Sequence, residues 1–278
     1  FTRAAAMEIR QRFVSLMGED LPVVFGTFHS VFFRMLQEEY GLESDALATG
    51  KMRLQLLREA ASRCHVKSDR QDFFQVISRE FSYIKNTGID PAEYHSREFP
   101  GIPMGRFFDA YEEQKEVYGL LDFDDMLTKT LSMFRENPRI LERWRGRFSF
   151  YLLDEVQDMN RLQFQIIRLL AHPHNNLFAV GDDDQSIYAF RGADPGLMLE
   201  FPKYYPDCRK ILLEENYRCS PQILSAANNL IAHNGKRYAK KLHSAAEAGE
   251  AVSFCRYPTA QQEGEGLVRA IKDRLAAG

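Results

Sequence analysis

Asp154 and Glu155 end the apolar run 150–153, and Gly181, Asp182, Asp183, Asp184 and Gln185 end a second run, 177–180. Apolar runs of this length bounded by turn residues suit buried strands of a parallel sheet. Ligands of open α/β sheets bind outside the carboxyl ends of the strands. A strand-end Asp there can hold a divalent cation, and a neighbouring carboxylate can orient or deprotonate an attacking water. A Gln beside them can sense a terminal phosphate or position that water. Each residue also has a plainer use. An acid pair after a strand caps a helix, and a Gln in such a place decorates a polar turn.

Three further groups carry candidate chemistry. Tyr188, Phe190 and Arg191 follow the second acidic turn, and rings interleaved with a cation suit single-stranded nucleic acid. The alternative is one ring in the core and one on the surface. Tyr217 and Arg218 follow a strand: the ring can stack on a base, and the guanidinium can meet a transferring phosphoryl group or form a surface pair with Glu214 or Glu215. Thr27, Phe28 and His29 leave an earlier strand, where a His is commonly a structural hydrogen-bonding residue. The basic run 236–241 reads as a solvated face that could meet phosphates.

Several elements must position these residues. Asn160 as N-cap with Gln163 three residues on is a capping-box variant, and Leu162, Ile166, Leu169 and Leu170 continue as one apolar stripe until His172-Pro173. Strand, helix and strand make a βαβ unit with a right-handed crossover. Upstream, the pattern predicts a helix over 2–17, a strand at 23–25, and a helix capped by Thr27 or Ser30 that runs to Tyr40 and stops at Gly41. The segment 43–118 lacks strand signals and predicts helices near 51–63, 70–87 and 105–118. Asp122, Asp124 and Asp125 then open a helix with acids where its dipole favours them. A strand at 210–213, a helix starting at Ser220-Pro221, a strand at 251–257 and a helix over 261–275 complete the reading.

The 278 residues are 45% hydrophobic and 27% charged, as in soluble globular proteins. A net charge of −3 does not by itself announce a nucleic-acid binder. The basic residues are uneven, however, and gather between Phe201 and Ala245. Cys64, Cys208, Cys219 and Cys255 have no paired spacing and read as reduced thiols without a zinc site. The expectation is a cytoplasmic protein with no membrane contact.

Together these segments resemble the UvrD/Rep/PcrA family of superfamily 1 DNA helicases. Asp154-Glu155-Val156-Gln157-Asp158-Met159-Asn160 resembles the family's Walker B motif. The segment 180–193 resembles motif III, and 213–224 resembles motif IV. Thr27-Phe28-His29-Ser30 resembles motif Ib, 1–5 a divergent motif Ia, and 121–126 a recurrent family segment. The resemblance implies an α/β fold: an incomplete RecA-like P-loop NTPase parallel sheet (domain 1A, 1–44 and 119–213), an all-helical 1B insertion (45–118) and the start of a second RecA-like domain, 2A (214–278). It implies an ATP-dependent 3′-to-5′ DNA helicase in repair or replication, using ATP and Mg²⁺. Single-stranded DNA, 3′-tailed duplex DNA and repair or replication proteins would be its partners.

The resemblance also implies roles. Asp154 would hold Mg²⁺, and Glu155 would activate water. Gln185 and Arg218 would contact the γ-phosphate, and Tyr217 would stack on adenine. Thr2, Thr27, Phe28, His29, Tyr188, Phe190 and Arg191 would line the single-stranded DNA track. The chain departs from the family's pattern, and it has no 2B insertion. It has no Gly-x-x-x-x-Gly-Lys-[Ser/Thr], and no motifs V and VI. Arg3 stands where motif Ia has Asn, and Val156 where motif II has Tyr. The expectation is a helicase fragment that is inactive in isolation. The rivals are the helicase part of a RecB/AddA-like helicase–nuclease subunit and a non-catalytic single-strand-binding module.

Overall fold

The computed structural model describes residues 3–189 and 192–277, so Thr2, Phe190 and Arg191 lie outside the described residues. The chain divides into two bodies, Phe1–Cys208 and Arg209–Gly278.

The first body begins with helices α1 (Arg3–Met17), α2 (Phe28–Tyr40), α3 (Gly50–Arg63), α4 (Phe73–Thr87), α5 (Met104–Val117), α6 (Phe123–Glu136) and α7 (Pro138–Arg145). Strand β1 (Tyr151–Leu153), helix α8 (Arg161–Ala171), strand β2 (Leu177–Ala179) and short helices α9 (Gly196–Leu199) and α10 (Phe201–Tyr204) follow. Local chemistry sets many of these boundaries. Thr27 Oγ1 accepts from Ser30 N at 3.2 Å to start α2. At its end Gly41 adopts φ 67°, which costs glycine little, and its N–H donates to Gln37 O. Asp122 and Asp125 form a reciprocal capping box at the head of α6, and Asn160 and Gln163 form another at the head of α8, with bonds of 2.9 and 3.0 Å. Asn160→Ala should therefore lower the stability of the first body by about 1 kcal/mol, read as a lower melting temperature.

β1 and β2 pair in parallel, Tyr151 with Leu177 and Leu153 with Ala179, and α8 makes the crossover as the pattern predicts. Burial differs from the expectation. Leu153 is buried, but Leu152 and Phe178 are 73% and 61% exposed. Successive side chains on a strand face opposite ways, and among the described residues this two-stranded ladder is covered on one face only.

The first body has two apolar cores. One gathers α2, α6, α7, β1 and α8 around residues such as Phe32, Phe134, Trp144 and Ile166. The other lies among α3, α4 and α5, around Leu57, Ile77, Phe81, Phe107 and Tyr111. The predicted helices of the 43–118 segment appear within a few residues of expectation.

The second body contains β3 (Glu215–Asn216), α11 (Pro221–Ile231), β4 (His243–Ser244) and α12 (Ala260–Ala277). β3 and β4 pair in parallel. Three predicted strands are corrected. Residues 23–25 form no ladder, and Val23 N instead closes a tight turn onto Leu21 O at 2.7 Å. Residues 210–213 are irregular, with Leu213 81% exposed, and the ladder lies two residues further on. Residues 251–257 are also irregular, with Phe254 90% exposed. An apolar run becomes a strand only where a second strand meets its N–H and C=O groups. Among the described residues, none of the three runs meets one.

Candidate nucleotide-handling site

The exits of β1 and β2 lie side by side. Val180 N donates to Leu153 O at 2.8 Å, and Val156 N donates to Val180 O at 3.0 Å. Asp154 is exposed, and its Oδ1 accepts from Glu155 N at 3.0 Å. Glu155 occupies the left-handed region at φ 54°. Side-chain-bearing residues persist there only where the surroundings enforce it, commonly at functional sites. Asp158 follows closely. Burial raises its carboxyl above the usual range, the nearby Glu155 charge adds to this, and its Oδ1 is buried without a hydrogen-bond partner.

The loop leaving β2 is stitched to the same stretch. Gln157 is 1% exposed. Its Nε2 donates to Glu155 Oε2 at 2.6 Å, and its Oε1 accepts from Asp182 N at 3.0 Å. Gln185 is exposed on a turn at the β2 exit and donates from Nε2 to Asp182 Oδ2 at 2.8 Å. Downstream, Asp194 N donates to Met159 O at 2.9 Å, and Arg161 pairs with Asp194 at 2.7 Å. Asp154, Glu155 and Gln185 are thus brought to one end of the β1–β2 pair. Tyr188 is 38% exposed on the same loop.

Thr27, Phe28 and His29 open α2. Thr27 is spent as its cap. Phe28 is half-buried, with its ring centroid 6.0 Å from that of Phe32. His29 packs edge-on to Phe123 at 5.8 Å. Burial lowers its imidazole below the ordinary value, against an opposing pull from Asp124. Tyr217 and Arg218 belong to the second body. Tyr217 is 77% exposed, and its hydroxyl donates to Glu215 Oε2 at 2.6 Å. Arg218 is exposed, and its backbone N donates to Asn216 Oδ1 at 3.0 Å.

Two acidic groups have carboxylate oxygens within 4.8 Å of one another among the described residues: Asp182, Asp183 and Asp184, and Glu112, Asp122 and Asp125. The second is filled by its own counter-ions. Lys85 Nζ lies 2.7 Å from Asp125, 2.9 Å from Asp122 and 2.8 Å from Glu112. Lys115 Nζ lies 2.5 Å from Asp125, 3.2 Å from Asp122 and 2.9 Å from Glu112. Burial alone would raise the Asp122 carboxyl, but the two ammonium groups outweigh it and hold the group well below the usual range. Burial alone would lower Lys85, but the three acids outweigh it and hold it well above. Asn86 extends the cluster: its Nδ2 donates to Asp124 Oδ1 at 2.8 Å, and its Oδ1 accepts from Asn160 Nδ2 at 2.9 Å.

Gln157 and the Lys85–Lys115 cluster were missed by reasoning from motif chemistry. One signal was available for the cluster. Lys115 continues the buried stripe of Phe107, Phe108 and Tyr111 at helical spacing, where a solvated lysine would not fall.

The profile of the UvrD/REP helicase N-terminal domain matches residues 1–206, and that of the UvrD-like helicase C-terminal domain matches residues 211–277. The Bacillus subtilis protein YjcD is 33% identical over the whole of this chain. The ATP-dependent DNA helicase PcrA of Staphylococcus epidermidis is 32% identical over the whole chain, and that of Staphylococcus aureus is 32% identical over 98% of it. The chain spans 37 to 39% of the length of these relatives. With acids and a glutamine gathered at paired strand exits and two profiles covering nearly every residue, the chain belongs to the UvrD/REP helicase family.

Proposed function

We propose that this chain carries the metal- and water-handling half of the ATP site of a 3′-to-5′ DNA helicase, with part of its single-stranded DNA track. The observation that carries the reading is the convergence of Asp154, Glu155 and Gln185 at the joined exits of β1 and β2. The donor set fits the cofactor: Asp154 is an exposed carboxylate, and hard oxygen donors of this kind suit Mg²⁺. In this reading the segments 1–44 and 119–213 form a RecA-like domain 1A, 45–118 a helical insertion 1B, and 214–278 the start of 2A. The two separate apolar cores of the first body support the division between 1A and 1B.

In this reading Asp154 would hold Mg²⁺, and Glu155 would take the proton from the attacking water. Gln185 of the first body would contact the γ-phosphate; for the second body, the roles proposed are a phosphate contact for Arg218 and adenine stacking for Tyr217. Mg²⁺ held at Asp154 would supply positive charge to the phosphates. Thr2, Thr27, Phe28, His29, Tyr188, Phe190 and Arg191 would follow the single strand, with rings against bases and the Arg191 cation against phosphate. Tyr188 lies three residues beyond Gln185, so a change at the phosphate is felt on the DNA side of the same loop. Repair or replication of DNA is the setting.

ATP turnover by the full-length gene product, with and without a single-stranded oligonucleotide, tests the reading. DNA-stimulated turnover and unwinding of a 3′-tailed but not a 5′-tailed duplex are expected. A full-length protein with no DNA-stimulated turnover would overturn it. The 278 residues alone contain no phosphate-cradling Gly-x-x-x-x-Gly-Lys-[Ser/Thr] and should show no turnover.

A further inference from the structure

Gln157 lies between Glu155 and the loop that carries Gln185. Three observations converge on its side chain. Its amide nitrogen donates to the Glu155 carboxylate at 2.6 Å. Its amide oxygen accepts from the backbone of Asp182, the residue that in turn holds the Gln185 side chain. A Cβ at Gly181 would lie 2.6 Å from Gln157 Oε1 and 3.1 Å from Val156 N, so the β2-exit loop passes closer to this amide than a side chain would permit. The Gln157 carbonyl also accepts from Ser186 Oγ at 3.3 Å, closing the loop from its far side.

We infer that Gln157 is a positioning residue that aims the Glu155 carboxylate and fixes the loop carrying Gln185, so that one buried amide sets both groups together. The inference rests on the proposed function. An amide suits the place, because it donates on one side and accepts on the other. Holding Glu155 through Oε2 restrains the rotation of the carboxylate and leaves Oε1 as the proton acceptor. Outer contacts of this kind commonly change activity 10- to 100-fold without touching substrate. Because the same side chain takes the Asp182 N–H, movement of the Gln185 loop pulls on the amide that aims Glu155.

Two substitutions separate the halves of the bridge. Gln157→Glu keeps an oxygen for Asp182 N but removes the donor to Glu155. Gln157→Met keeps the volume and removes both bonds. Hydrogen exchange of the 278-residue chain reads the loop directly. Exchange of the Asp182 amide should be unchanged in Gln157→Glu and clearly faster in Gln157→Met. In the full-length gene product both variants should lose roughly 10- to 100-fold in kcat, with KM for ATP within about twofold of wild type.

Wild-type kcat in Gln157→Glu would overturn the aiming of Glu155. Unchanged exchange at Asp182 in Gln157→Met would overturn the bridge, and that arm still decides if Gln157→Glu fails to fold. A wild-type protein without ATP turnover would sink the proposed function instead, and the exchange measurement would still judge the bridge.

Discussion

Lys115→Met should cost the first body about 3 to 5 kcal/mol, the largest stability effect of any single substitution considered for this chain. Lys115 is 2% exposed and meets Asp125, Asp122 and Glu112, as Lys85 does from the neighbouring helix. Methionine fills nearly the same volume but carries no charge. Three carboxylates, two of them buried, would then share one ammonium group. Chemical denaturation at neutral pH measures the loss, and a change under about 1 kcal/mol would show that the cluster is solvated after all. Replacing Lys115 and Asp125 together with apolar residues should recover much of the loss, because an unpaired buried charge costs more than a missing pair.

The pH dependence has a definite sign. Asp122 is held below its ordinary range, so its contribution is full above about pH 5 and fades as pH falls through the folded value. Lys85 is held above its ordinary range, so its contribution is full below about pH 10 and fades only as pH rises through the folded value. The cluster should thus stabilise the fold evenly across neutral pH and weaken first in acid.

Glu155→Gln should lower kcat for DNA-stimulated ATP turnover in the full-length gene product by roughly 10²- to 10⁴-fold. The substitution is nearly isosteric. The oxygen of the introduced amide can still accept from Gln157 Nε2, which lies 2.6 Å from the Glu155 carboxylate, so the strand exit should keep its shape. What disappears is the ability to take a proton from water. Affinity for ATP and for single-stranded DNA should stay within a few-fold of wild type. A variant that retained kcat within about threefold would remove Glu155 from the role of base and shift attention to Asp158, a further carboxylate at this exit with a raised pKa.

The elements that the sequence made legible were those with local signals. The Asn160–Gln163 capping box, Gly41 after α2, and Ser220-Pro221 before α11 each mark a helix end within a few residues of the chain. The crossover between β1 and β2 followed from two apolar runs flanking an amphipathic helix. The runs at 23–25, 210–213 and 251–257 looked alike in sequence, but a ladder depends on a distant partner that no local pattern announces. The same reason hid part of the site. Asp154, Glu155 and Gln185 stood out by type, whereas Gln157 looked like filler inside its motif. Asp122 and Asp125 read as acids suited to a helix start. They do cap α6, but they are buried, and the lysines that neutralise them include one from α4, 37 residues away from Asp122.

The lysine–carboxylate cluster also fixes how the three-helix layer can move. It fastens the C-terminal turns of α4 and α5 to the head of α6, and Asn86 carries the connection on to Asn160 at the head of α8. Pulling these helices apart would separate buried opposite charges, at a cost of several kcal/mol. The joint therefore behaves as a weld and not as a hinge. A load on α4 or α5 would pass to α6 and to the head of α8, a few residues beyond Glu155, through these bonds.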